Sequence, residues 1–368
     1  MVEKAQVLQA LEKVMDPALE RSLVDLEMIE DVVIDGSQVT VYFAPDTLAC
    51  PLLDGMVRDI EQAALQVSGI EYVEVQLVEP IEGKTFDRGD LPSGQIEHLN
   101  HAKRVIAVMS GKGGVGKSLV ASLLAVSLRK AGHRVGILDA DITGPSIPKM
   151  FFNHRPNPET TPRAMLPLTS KTGIQVMSIN FILEQEDQPV VWRGPLVGRA
   201  IQQFWTDVLW GSLDYLIVDL PPGTSDAPLT VLQSLPMSGV VLVTSPQDLA
   251  GLVVRKAANM ARQVAVPILG VVENMSYFTA PDTGKRYEVF GPSHAEEIAE
   301  AIKVPLLAQL PLNPEVAIHC DAGEVEDCLI DDFKAVVDWL QAITPEARPP
   351  KMQIKHDHVA SAHASKGE

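Results

Sequence analysis

The side chains with chemical potential concentrate in a few short stretches. Ser110-Gly111-Lys112-Gly113-Gly114-Val115-Gly116-Lys117-Ser118 follows an apolar run, Val105 to Met109, and precedes a helical pattern of Leu119, Leu123, Leu124, Val126 and Leu128. Strand, glycine loop and helix in that order, with the spacing G-x-x-x-x-G-K-[ST], make a phosphate-binding loop. Gly111, Gly113, Gly114 and Gly116, with Val115 among them, let the backbone curl until successive N–H groups and a helix N-terminus face an anion. Lys117 then neutralises the outer phosphates and the Ser118 hydroxyl ligates Mg²⁺. Lys112, a second lysine at the start of the loop, makes this the deviant form of the motif.

Two further apolar strands end in acids. Val135 to Asp139 delivers Asp139-Ala140-Asp141 to the edge of a parallel sheet, where ligands of open α/β folds bind. Asp141 is the better placed to orient water or hold the metal's water shell, since Asp139 ends the strand; without the phosphate loop the stretch reads as an ordinary Asp-Gly-Pro turn. Tyr215 to Asp219 is the second such strand, and Asp219 can accept hydrogen bonds from Mg²⁺-bound water. The Pro221-Pro222-Gly223-Thr224 turn after it offers backbone N–H groups to a γ-phosphate. Asn274 closes the strand Ile268 to Val272 and carries both donor and acceptor for an adenine edge, with Pro311-Leu312-Asn313-Pro314 available to pack on the base. Cys50, in Thr47-Leu48-Ala49-Cys50-Pro51, has two readings: a small apolar residue packed at a strand-to-helix turn, or a thiolate whose pKa a helix N-terminus lowers for metal or sulfur chemistry.

The elements that position these residues read as an α/β chain. With 368 residues, 46% of them hydrophobic, it is long enough for two buried cores. No apolar run approaches the ~20 residues that span a bilayer, and no leader precedes the first helical pattern, so a cytoplasmic location is expected. Cys50, Cys320 and Cys328 form neither a C-x-x-C pair nor a disulfide framework. A net charge of −18 argues against nonspecific binding of nucleic acid or anionic membrane. Residues 1–90 hold 6 basic against 19 acidic side chains, which marks an acidic N-terminal module. Its pattern is α-β-β-α-β over residues 1–78, with a hairpin signal at Asp35-Gly36. A Gly- and Pro-containing linker follows at 79–101, then the phosphate-loop domain at 102–345 and a disordered tail at 346–368 holding His356, His358 and His363. Residues 151–173, with four prolines, read as a mobile surface excursion, and Phe204 and Trp205 as core or subunit contact.

Taken together these motifs resemble the Mrp/ApbC family of deviant phosphate-loop ATPases, iron–sulfur cluster carriers related to MinD, ParA and the nitrogenase iron protein. The matching stretches are Gly111 to Ser118, Asp139 to Ser146, Trp192-Arg193-Gly194-Pro195, Asp219 to Thr224 and Glu273-Asn274-Met275-Ser276. Residues 1–78 are similar to the MIP18-type domain that many bacterial members carry in front. The resemblance implies a mostly parallel sheet flanked by helices, ATP and Mg²⁺ as cofactors, and delivery of clusters from scaffold proteins to apo iron–sulfur proteins. It also implies a homodimer in which Lys112 reaches the opposite nucleotide, and it favours the functional reading of Cys50 as a cluster ligand. One departure stands out: family members usually carry Cys-x-x-Cys shortly after Glu-Asn-Met-Ser, where this chain has Ala280 and Thr283, neither of which supplies the soft sulfur a cluster requires. Alternatives are an ATP-gated adaptor without its own cluster and a MinD/ParA-like spatial organiser. Such an organiser binds membrane or DNA, and its membrane attachment uses a basic amphipathic terminal helix, whereas the last helical pattern, Ile330 to Leu340, is acidic.

Overall fold

A computed structural model of the chain describes residues 2–78, 96–142, 144–161, 164–183, 194–247, 249–328 and 332–348. Trp192 and Arg193, most of the expected linker and the tail from Pro349 lie outside the described residues.

The strand His101–Ser110 is buried throughout from Val105, and such continuous apolar runs belong to sheets covered on both faces. It lies at the centre of a nine-stranded sheet. On one side it pairs in parallel with Ser212–Asp219, followed by Val135–Asp139, Gln175–Ser178 and the antiparallel Leu168–Thr169. On the other side stand Gly239–Thr244 and then Ile268–Thr279, which also pairs with Leu306–Pro311 and, antiparallel, with Arg286–Tyr287. Alternate residues feed two cores. Val105, Ala107 and Met109 face Phe204 and Trp205 of the helix Gly194–Thr206, so these aromatics are core residues. Ile106 and Val108 face Val120 and Leu124 of the helix Lys117–Lys130 and Phe333 and Val337 of the helix Asp332–Ile343.

Residues 2–78 form a separate three-stranded sheet with its own core of Val7, Leu11, Val41, Phe43, Met56 and Ile60. Its order is Ile29–Asp35, Gln38–Phe43, Tyr72–Leu77, the last two being parallel and bridged by the helix Leu53–Leu65. The Asp35↔Gln38 register leaves Gly36-Ser37 as a two-residue loop, and Gly36 takes the left-handed φ of 61° that such a turn requires. A short antiparallel pair, Met15–Asp16 with Arg21–Ser22, adds to the α-β-β-α-β pattern.

Three stretches expected to be loose are fixed in place. The linker reading fails at its end: Ile96 is buried, and the buried Asn100 amide donates to the Trp205 and Val208 carbonyls at 2.6 and 2.9 Å while its oxygen accepts from the Trp210 N–H at 2.8 Å. Within 151–173, the Met165 N–H donates to Asp207 and its carbonyl accepts from Leu209, both at 2.9 Å, and Leu166 is buried. Both stretches owe their order to distant partners that no local pattern reveals. At the chain end the Ala347 N–H donates to the Lys103 carbonyl at 2.8 Å, so the tail reading does not hold at its first residues.

Asp214 ties three strand entries together at the edge remote from the phosphate loop. It accepts from Lys103 Nζ at 2.8 Å and from the Arg134 N–H at 2.9 Å. Partial burial opposes ionisation, but these donors and the Lys103 and Arg134 charges hold the carboxyl down at about 2. A depressed carboxyl contributes stability that is present above its unfolded pKa and is lost as pH falls through the folded value. Asp214→Asn is therefore expected to destabilise by about 1 kcal/mol at pH 7, after discounting for solvent screening. Thermal melts of parent and variant should differ at pH 7 and converge between pH 4 and 2; a gap independent of pH would contradict the ionic origin.

Candidate nucleotide site

The parallel register aligns the strand ends so that Asp219 stands opposite both Val108 and Asp139. Two acids thus lie side by side at the C-terminal edge, with the phosphate loop leaving its strand next to them. Gly114 and Gly116 both have φ of 79°, and Gly116 is the N-cap of the helix Lys117–Lys130. This turn brings the first two helical side chains back onto the acids. Lys117, 6% exposed, places Nζ 2.6 Å from Asp219 Oδ1 and 3.8 Å from Asp141 Oδ2. Ser118 Oγ donates to the other oxygen, Asp219 Oδ2, at 2.5 Å.

Asp139 stands behind this pair. It accepts from the N–H groups of Asp141 and Ile147 at 3.1 and 3.2 Å and from Ser178 Oγ at 3.3 Å, shaping the turn that carries Asp141. Burial and then the Asp219 charge push its carboxyl well above the usual range. Burial also raises Asp219, with Lys117 and Ser118 opposing. One ammonium against three carboxylates leaves the pocket short of positive charge. The hydroxyl and carboxylate of Ser118 and Asp219 are the hard oxygen donors that Mg²⁺ takes while keeping waters and phosphates as its other ligands; these residues fit the ion. Among the described residues, no group of three or more His, Cys, Asp or Glu could hold a metal without such help. In the Pro-Pro-Gly-Thr turn, the Gly223 N–H is already committed to the Ser110 carbonyl at 3.0 Å, which ties the turn to the phosphate-loop strand.

Beside the loop opens a cavity of about 660 Å³ lined by Gly114, Gly116, Asn274, Leu310 to Asn313 and Val316, with Tyr277 and Arg286 at its wall. Pro311 and Leu312 line this cavity. Asn274 is more committed than the sequence reading implies: its Nδ2 donates to the Val115 carbonyl at 3.1 Å and lies 2.1 Å from where a Cβ on Gly116 would stand. Glycine is thus required at 116 by backbone conformation and by space. The sequence reading missed Tyr277 and Arg286, whose guanidinium sits 4.2 Å from the Tyr277 ring centroid. The available signal was an aromatic just after Glu-Asn-Met-Ser and a basic residue across the hairpin. Lys112 hydrogen-bonds through Nζ to Gln247 Oε1 of its own chain.

No cysteine lines this cavity. Cys320 and Cys328 belong to the core, and burial raises both thiols, Cys320 to about 11. Cys50 is half-buried where its loop docks on the opposite, N-terminal edge of the large sheet. Cys50 and Leu52 pack against Ile96, Ala164, Leu166 and Leu209, and Thr47 Oγ1 donates to Glu159 Oε2 at 2.5 Å. The strand Ser212–Asp219 separates this dock from the phosphate site, on the order of 25 Å at ~3.3 Å per residue. The expected low-pKa thiolate is not found: burial pushes the Cys50 thiol up to about 12, with Asp46 and Asp16 adding to it, against the helix-start N–H groups of Leu52 and Leu53. Ala280 and Thr283 fall in an exposed hairpin in which the Ala280 N–H donates to Lys285 O at 2.9 Å, and no thiol stands there.

Glycine loop, paired lysine and acid, and parallel sheet define a phosphate-loop NTPase. Residues 101–343 match the family described as NUBPL iron-transfer P-loop NTPase, and residues 4–77 that described as iron-sulfur cluster assembly protein. The chain belongs to the NUBPL iron-transfer P-loop NTPase family. It is 44% identical over 316 residues to an iron-sulfur cluster carrier protein of Synechocystis sp., covering 85% of this chain and 88% of that one. A protein of the same name from Deinococcus radiodurans is 43% identical over 318 residues, covering 86% and 87% of the two chains. Among solved structures, a nucleotide-binding protein from Archaeoglobus fulgidus in complex with ADP aligns with a TM-score of 0.58 at 43% identity, covering 65% of this chain and 93% of that one.

A thiol raised to about 12 is almost wholly protonated at pH 8, and the thiolate is the reactive form. Iodoacetamide at pH 8 should alkylate Cys50 in the folded protein more than ten-fold slower than in urea, read by peptide mass spectrometry; equal rates would mean that the dock does not shelter the sulfur.

Proposed function

We propose that this chain binds and hydrolyses ATP with Mg²⁺, and that the nucleotide cycle governs the carriage of iron–sulfur clusters from scaffold proteins to apo-proteins by a cytoplasmic homodimer. The observation that carries the reading is the convergence of Lys117 and Ser118 on Asp219 at the edge of the sheet, in a chain whose relatives are named cluster carriers. On ATP binding Lys117 exchanges its contact with Asp219 for the outer phosphates, and Asp219 keeps Ser118 in place. Mg²⁺ would be held through Ser118 and Asp219 and would neutralise phosphate charge. Asp141, at the mouth of the acid cluster, orients the attacking water. Lys112, now on Gln247, is the residue that would extend across a dimer to the partner nucleotide. Two Cys50 thiols, one from each subunit, would supply half of a cluster's four ligands, with glutathione or a client protein supplying the rest. Since the docked sulfur is a thiol, ligation requires the loop to leave its dock.

A second reading, an ATP-gated adaptor without a cluster, draws on the sulfur-free hairpin at 280–283 and the sheltered Cys50. The spatial-organiser reading is disfavoured because Phe333, Val336, Val337 and Leu340 of the last helix are buried in the core and unavailable to a membrane.

Lys117→Ala should lose ATP turnover, and Lys112→Ala should bind ATP within about three-fold of the parent yet hydrolyse it at least ten-fold more slowly. Undiminished turnover in purified Lys117→Ala protein would overturn the ATPase assignment. After anaerobic reconstitution, Cys50→Ser should hold less iron and acid-labile sulfide per dimer than Cys320→Ser or Cys328→Ser, with ATPase activity kept in all three. A parent protein that takes up no cluster would favour the adaptor.

A further inference from the structure

Glu273 is the most deeply placed acid outside the Lys117 cluster. It is fully buried midway along the strand Ile268–Thr279, and only one of its carboxylate oxygens finds hydrogen-bond donors among the described residues. Oε2 accepts from Ser276 Oγ at 2.6 Å and from Gln309 Nε2 at 3.3 Å; Oε1 has no hydrogen-bond partner among the described residues. Neither partner depends on it. Ser276 Oγ also lies 3.3 Å from the Glu273 carbonyl, and Gln309 Nε2 donates to Ser293 Oγ at 2.7 Å. An acid buried on such terms adds nothing to stability that an apolar residue of similar volume would not, so its presence points to position rather than to stability.

The backbone shows what is being positioned. Opposite Gln309 to Pro311, a step of two residues, this strand spends four, from Glu273 to Tyr277, so two residues are extruded. The extrusion places Met275 at a left-handed φ of 58°, which a side chain rarely adopts. The Glu273–Ser276 bond closes the bulge on itself across three residues, and the ladder resumes where the Leu312 N–H donates to the Tyr277 carbonyl at 2.6 Å. Carried on the bulge is Asn274, whose amide meets the Val115 carbonyl in the space that Gly116 leaves.

We propose that Glu273 is a positioning residue of the nucleotide site: its buried carboxylate closes the bulge at 274–276, holds Asn274 against the phosphate loop and, through Ser276 and Tyr277, fixes the stance of the hairpin to Arg286–Tyr287. It does not touch the nucleotide. It makes the loop and the Tyr277–Arg286 wall of the cavity parts of one unit, so that both present themselves to the ligand together. This rests on the reading that the loop binds ATP.

The test uses a fluorescent ATP analogue and the full chain. Glu273→Leu should fold with a melting temperature equal to or above the parent's and bind the analogue about ten-fold more weakly, with Glu273→Gln intermediate. Asn274→Ala should weaken binding too, and Glu273→Leu added to it should cost clearly less further affinity than it costs alone, because part of the carboxylate's effect passes through Asn274. Met275→Gly, which removes the backbone strain, should restore most of the affinity of Glu273→Leu. A purely structural acid would instead lower the melting temperature, add its whole loss to that of Asn274→Ala and resist rescue, and any of these overturns the proposal, as does parental affinity in Glu273→Leu. A parent protein that fails to bind the analogue overturns the nucleotide reading itself and this inference with it.

Discussion

One buried ammonium holds the working edge of the molecule together. The register of the parallel sheet places the ends of two adjacent strands, each closing in an aspartate, beside one another, and a third acid follows two residues later. Without a cation such an arrangement would not stay folded as it is, since uncompensated buried charge costs roughly 3–5 kcal/mol. Lys117 supplies it, and the left-handed Gly116 exists to turn the helix so that Lys117 can. The requirement explains why the glycine loop, the two strand tips and the helix start form one interlocked object. It also explains how the site can exchange partners: phosphates compete for an ammonium that is already desolvated and aimed.

At the other end of the sheet a different balance decides the state of a sulfur. The N–H groups at the start of the helix Leu53–Leu65 do reach Cys50 and favour its ionisation. A helix N-terminus contributes about 1 kcal/mol in such a place, and burial against Leu166 and Leu209, with two acids nearby, outweighs it. The same loop undocked would lose the burial against Leu166 and Leu209 and keep the helix-start N–H groups and the two acids of its own domain. Position relative to the large sheet, more than the local sequence, therefore sets the reactivity of this thiol.

What the sequence disclosed and what it concealed divide along the range of the interactions. Gly111 to Ser118, the Asp219 strand and the helix behind the loop were legible because glycine spacing, apolar runs and helical periodicity are all local signals. The Asp35-Gly36 hairpin was legible for the same reason. The commitment of Asn274 to Val115 was not, since 159 positions separate the partners. Nor was the order of Ile96 to Asn100 and of Met165, whose partners lie beyond residue 200. Cys50 belongs to this second group: the side chains that bury it include Ala164, Leu166 and Leu209, more than a hundred positions away, and the helix start beside it supplies only the minority influence on its pKa.

The helix Lys117–Lys130 runs about 21 Å at ~1.5 Å per residue. Its first residue lies among the phosphate-site acids, and its penultimate one, Arg129, lines the cleft of about 440 Å³ beside Cys50, where Nε donates to the Thr172 carbonyl at 2.6 Å. Over such a span, charge is a poor messenger: at an effective dielectric of about 20, two unit charges ~21 Å apart interact by less than about 1 kcal/mol. A stiff rod behaves otherwise, because a tilt at its phosphate end becomes a lateral displacement at Arg129 that no ionic strength attenuates. The helix thus links the two ends of the sheet as a mechanical element rather than an electrostatic one.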